Sequence, residues 1–176
     1  VEGGFGLSAG RALAGLSILL AGALFLLLPG PAPLGGSADR VVVEKARRRL
    51  TLYRDGTAMR SYRVALGFAP LGPKIREGDG RTPEGRYFID RHQPHSGYHQ
   101  ALHLSYPNAA DRAQAAAQGV SPGGDIMIHG IRNGLGWLGP LQRLHDWTRG
   151  CIALSDAQID QVAAAVPDGT PVEIRP

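Results

Sequence analysis

Seventeen consecutive residues without a charge, Ala12 to Leu28, divide this 176-residue chain into two unequal parts. Arg11 precedes the run and Pro29, Pro31 and Pro33 follow it. A basic residue, an apolar stretch and a helix-breaking exit are the layout of an export signal. Gly36-Ser37-Ala38 places small side chains at the positions a signal peptidase reads. The same run sits at the short end of what spans a bilayer, so a retained membrane anchor through residues 12–28 is the other reading. Residues 1–38 are therefore read as a signal peptide or N-terminal anchor and residues 39–176 as one folded domain. Either way the domain is placed outside the cytoplasm, in the periplasm or cell envelope, and in the anchor reading it is held at the inner membrane.

Removing residues 1–38 takes away one anion (Glu2) and one cation (Arg11), so the formal charge stays at +4. Arg47-Arg48-Arg49 is the densest basic cluster, too small for a nucleic-acid stripe, and aromatic residues are only 6% of the chain. No nucleic-acid partner is expected. Cysteine is decisive: there is one, Cys151, which excludes an internal disulfide framework and a zinc ribbon. A free thiol in an oxidising compartment is either buried and inert or kept for its chemistry.

Within the domain, Val41–Val43 and Leu50–Tyr53 read as strands. Asp55-Gly56 is a hairpin turn, with Ser61–Leu66 returning. Arg86–Ile89, Ala101–Tyr106, Ile126–His129 and Val172–Ile174 are further strands. Ala109–Gln118 is a helix stopped by Gly119. Ser155 and Gln158 form a capping box for a second helix, with Ile159, Val162, Ala163 and Val166 on one face. Without regular β-α alternation, the class is α+β and predominantly β.

Cys151 follows Gly150, which allows a tight turn and brings amide N–H groups near the sulfur. A thiol is only a few per cent ionised at neutral pH, so a nucleophilic role needs a base. His129, at the end of a strand and before Gly130, is the best-placed candidate. His92, His95, His99 and His103 have spacings that tempt a metal reading, but Pro94 and Gly97 prevent one helix from aligning them. Gly134-x-Gly136-x-x-Gly139 matches a dinucleotide fingerprint literally, without the strand–turn–helix context it needs, and is read as a loop beside the site. Trp137 and Trp147 would either face substrate or anchor that loop.

Ile128-His129-Gly130, followed by Thr148-x-Gly150-Cys151-Ile152-Ala153-Leu154, resembles the active-site signature of the L,D-transpeptidase (YkuD) catalytic domain family. Thr82-Pro83-x-Gly85 and the Leu-x-Leu-Tyr plus Asp-Gly hairpin match the same domain. Ser105-Tyr106-Pro107-Asn108, Asp125–Gly130 and Asp146-Trp147-Thr148 are most similar to its YafK-type branch. Two departures from the common pattern fit that branch: Arg149 stands where a second histidine is usual, and eighteen residues separate His129 from Thr148.

The resemblance implies a mixed β-sandwich with one or two packed helices, and a peptidoglycan L,D-transpeptidase that uses no metal or cofactor. Cys151 would attack a stem-peptide amide, His129 would shuttle the proton, and the Gly130 carbonyl would orient the imidazole. The amides of Gly150 and Cys151 would hold the oxyanion. Thr148, Arg149 and Arg132 would contact substrate. His145, six residues before Cys151, either substitutes for the missing histidine or is a solvated loop residue. A hydrolase releasing wall-linked lipoprotein or cleaving cross-links, and a non-catalytic wall-binding module, are the alternatives.

Overall fold

Alternating and β-branched segments assemble into one eight-stranded mixed sheet in a computed structural model that describes residues 34–176. The apolar run 12–28 lies outside the described residues, among which no helix is long and apolar enough to cross a membrane. The strands are β1 (Arg40–Glu44), β2 (Arg49–Arg54), β3 (Thr57–Arg63), β4 (Gly85–Ser96), β5 (His99–Leu104), β6 (Met127–His129), β7 (Ile152–Ala153) and β8 (Pro171–Arg175). Their order is β3-β2-β1-β8-β4-β5-β6-β7. Helices α1 (Ala109–Ala117) and α2 (Asp156–Ala165) and a 3₁₀ segment (Gly136–Leu144) complete the described fold, which is α+β and predominantly β.

The β2–β3 hairpin forms where Asp-Gly predicts it. Arg54 pairs with Thr57, and Asp55 and Gly56 both have positive φ, as a primed turn requires. The returning strand ends earlier than its sequence suggests. Val64–Leu66 leave the β2 ladder, and Ala65 bridges Ala153 while Gly67 bridges Thr148. That switch brings the exit of β3 onto the segment carrying Cys151. β4 runs on to Ser96, through Pro94, and its register with β5 slips between Gln93 and Ser96, where a proline can be accommodated. β4 also changes partner along its length: Gly85–Phe88 pair with β8 and the remainder with β5. Both halves of the sheet supply one core, in which Val41, Leu50, Leu52, Ile89, Leu102 and Ile128 are fully buried.

Both helices begin as their sequences dictate. Asn108 and Asp111 form a reciprocal capping box for α1, and Ser155 and Gln158 do so for α2. α2 buries Ile159, Val162 and Ala165 against the core. Ala38, where a processing cut was expected, is itself in that core at 3% exposure, and its amide donates to Ala165 O at 2.7 Å.

The three clustered arginines are spent on local pairs. Arg47 and Arg49 hold Glu44, and Arg48 holds Asp146, whose other oxygen accepts the Leu66 amide at 2.9 Å. The Gly- and Pro-rich segment 67–85 is clamped by both of the chain's lysines. Lys45 donates to Gly72 O, Thr82 O and Glu84, and Lys74 donates to Arg76 O and Asp79. Burial alone would raise the Asp79 pKa; Lys74 and the amides of Ile75, Arg76 and Arg81 outweigh it and hold it at about 2.

Candidate active site

His129 and Cys151 reach one cavity because their strands are neighbours. β6 and β7 run parallel, with Ile128 opposite Ile152 and His129 opposite Ala153. Side chains alternate along a strand, so the residue two before Ala153 shares its face, and Cys151 therefore points the same way as His129. Both line a cavity of about 710 Å³, together with Gln93, Tyr98, Asp125, Met127, Arg132 and Trp147.

His129 is 4% exposed, and its Nδ1 lies 2.6 Å from Gly130 O. A carbonyl only accepts, so Nδ1 carries the proton and Nε2 is left with a lone pair. Burial lowers the His129 pKa from the ordinary imidazole value, and the Gly130 contact opposes this. The Tyr98 ring lies 4.6 Å from the imidazole and Trp147 meets it edge-on at 5.8 Å. Cys151 Sγ is 3.6 Å from Asp125 O. Burial raises the thiol pKa, the Met127 backbone N–H pulls it down, and the Asp125 charge raises it further. Both directions favour the uncharged forms, a thiol and an imidazole with its proton on Nδ1.

These directions give a test. Iodoacetamide alkylation of Cys151 should keep accelerating above the ordinary thiol pKa of about 8.5, and the His129 ring should titrate below about 6.5. A midpoint for Cys151 well under 8.5 would instead mean a preformed ion pair.

Gly150 has φ +129°, and a Cβ there would sit 2.6 Å from Arg81 O. Its amide donates to Thr148 Oγ1 at 3.1 Å, and that hydroxyl donates to Cys151 O at 2.7 Å. Thr148 lines the cavity, but its hydroxyl closes the turn around the cysteine, and the Gly150 amide is already engaged in that turn. Arg132 and Arg149 are exposed on the cavity wall, where neither guanidinium has an ion pair among the described residues. His145 is exposed and outside the cavity lining.

Three of the four histidines of the metal reading, all but His95, turn to different carboxylates. His92 faces Asp168, His99 faces Asp160, and His103 faces Asp90. The Gly134–Gly139 motif leads into the 3₁₀ segment, kinked at Gly139. Gln142 anchors that segment: it accepts from Trp147 Nε1 at 2.8 Å and donates to Ala153 O at 3.4 Å. Trp147 is therefore both wall and anchor, whereas Trp137 is 76% exposed. Tyr98, in the turn between β4 and β5, was not found by sequence reasoning.

A family model described as YkuD, L,D-transpeptidase catalytic domain, matches residues 38–174. The provisionally named L,D-transpeptidase YafK of Escherichia coli (strain K12) is 32% identical over 135 residues, which cover 73% of this chain and 47% of YafK. The chain thus spans about half the length of the curated relatives it matches. Among solved structures, the helical cell shape determining protein Pgp2 from Campylobacter jejuni is 28% identical with a TM-score of 0.57, covering 81% of this chain and 50% of Pgp2. An L,D-transpeptidase from Mycobacterium smegmatis shares the fold at 16% identity and a TM-score of 0.53, covering 79% of this chain and 59% of that one.

Proposed function

This chain belongs to the YkuD family of L,D-transpeptidase catalytic domains, and from that premise we propose that it is an exported cysteine acyltransferase acting on peptidoglycan stem peptides. The observation that carries the reading is the convergence of Cys151 and His129 on one cavity, with the Gly130 carbonyl holding the imidazole in the tautomer a general base requires. Attack by Cys151 Sγ on the amide carbonyl between the L-centre of a diamino acid and D-Ala transfers the thiol proton to His129 Nε2. The tetrahedral oxyanion takes the Cys151 backbone N–H, the Gly150 amide being committed to Thr148 Oγ1. Collapse breaks the C–N bond, the imidazolium protonates the departing amine, and a thioester remains. An amine acceptor then forms the new amide and restores the thiol, which is transpeptidation; water in its place gives hydrolysis. Neither step needs a metal or an organic cofactor.

Arg132 and Arg149 line the cavity with no ion pair among the described residues, and both are assigned to stem-peptide carboxylates. Arg149→Ala and Arg132→Ala should each raise KM about tenfold with kcat within about twofold, the signature of lost ground-state binding. The increase should vanish on a substrate whose carboxylate is amidated. An equal KM increase on the amidated substrate would sink the assignment.

The full chain incubated with tetrapeptide-stem muropeptides, some bearing a wall-linked lipoprotein peptide, is the direct test of function. Intact-mass spectrometry should show an acyl adduct on Cys151, with exchanged or cross-linked products when an amine is supplied. Peptide release without new cross-links, at any amine concentration, would make the enzyme a hydrolase of the same chemistry. No adduct and an unreactive thiol would leave a wall-binding module.

A further inference from the structure

We propose that Asp156 is a positioning residue for His129, acting through the peptide group between Gly130 and Ile131; this rests on the general-base role proposed above. The carbonyl that accepts His129 Nδ1–H belongs to the same peptide unit as the Ile131 N–H. That N–H donates to Asp156 Oδ1 at 2.8 Å. The order is imidazole N–H, carbonyl, amide N–H, carboxylate, so the Asp156 charge polarises the peptide and strengthens its carbonyl as an acceptor. The base and the acid are thus joined through one peptide group, and the base shares its cavity with Cys151.

Three further observations show that the arrangement is built. Asp156 opens α2 immediately after its Ser155 N-cap, which fixes the direction in which its carboxylate leaves the helix. A Cβ at Gly130 would come within 2.8 Å of Asp156 Oδ1, and one at Gly136 would overlap Asp156 Oδ2. Both glycines therefore leave room for the carboxylate. The preceding peptide is fixed as well: the Gly130 N–H donates to Tyr98 O at 3.1 Å and Gln100 O at 3.2 Å. α2 thus holds the peptide that orients His129, and the β4–β5 hairpin holds the peptide before it.

Other charges surround this line. Cys151 and Arg149 face the cavity from the β7 side and Arg132 from the segment after β6. Asp125 precedes β6 and meets His103 at 3.6 Å, and His99 beside Gly130 is paired with Asp160 of α2. Asp156 is the carboxylate bonded to the peptide that holds the imidazole.

Asp156→Asn retains an acceptor oxygen and removes the charge. In the full chain carrying Cys151→Ala, NMR titration of the His129 ring should move down by about half a unit to one unit when Asp156 becomes Asn. In the chain with Cys151 intact, the same substitution should lower kcat about tenfold and shift the acid limb of the pH–rate profile in the same direction. An unmoved ring titration and acid limb would overturn the proposal, whatever the rate does. If Asp156→Asn folds poorly, the unsubstituted chain provides a second reading. Its Ile131 amide and His129 Nδ1–H signals should show a second step in acid, separate from the titration of the His129 ring itself, and the absence of that second step would overturn the proposal equally. The ring titration is read without turnover, so a shifted titration in a chain inert to stem peptides preserves the coupling and rejects only the acyltransferase reading.

Discussion

Cys151→Ala is expected to reduce turnover by at least about 10³-fold and to leave the thermal midpoint within about 2 °C of wild type. The thiol faces a cavity instead of the packed interior, and its contact to Asp125 O, at 3.6 Å, is weak. Removing it opens no new void in the core, so the usual penalty of a large-to-small change does not arise. The acyl-enzyme, in contrast, cannot form without the sulfur. Activity assays on purified chain, paired with a melting curve, separate the two effects. A midpoint lowered by more than about 5 °C, with residual activity tracking the folded fraction, would show that the cysteine is there for packing.

Gly150→Ala should fail in the opposite manner, by damaging the scaffold that carries the nucleophile. The backbone at Gly150 is at φ +129°, which an L side chain rarely adopts, and the added Cβ would meet Arg81 O at 2.6 Å and Ile126 Cδ1 at 3.0 Å. Strain and overlap together should cost about 2–4 kcal/mol. For a domain of this size that lowers the midpoint by about 10 °C. Relief of the overlap moves the 148–151 turn away from Arg81, taking Cys151 with it, and turnover should fall at least about 100-fold. A wild-type midpoint for this variant would contradict the close approach of the two segments.

Much of this arrangement was legible in the sequence because its signals are local. Asp55-Gly56 specifies its own turn, the capping box at Ser155 specifies a helix start, and His129-Gly130 and Gly150-Cys151 stand at strand ends. What was illegible depends on contacts between distant segments. Tyr98 reaches His129 from a hairpin some thirty residues upstream, and no neighbour of Tyr98 signals that role. The engagement of the Gly150 amide depends on the rotamer of Thr148, which the sequence does not encode. Asp156 reads as an ordinary first-turn acid, favourable to any helix dipole. Only the path of the chain after His129 brings the Ile131 amide to it. Pro94 argues against regular structure in its neighbourhood, yet β4 passes through it because the register slip relieves the missing donor.

Under the acyl transfer to amines proposed above, the two buried ammonium groups have a consequence. Lys45 and Lys74 are the only lysines in the chain, they are 2% and 4% exposed, and each Nζ is already donating to carbonyl and carboxylate oxygens. Every other side-chain cation is arginine, whose guanidinium stays protonated and is no nucleophile. The folded surface therefore offers a thioester no lysine to attack it, and the domain is protected from becoming its own acceptor. A lysine engineered at an exposed arginine near the cavity would remove that immunity and convert the enzyme into a target of its own reaction.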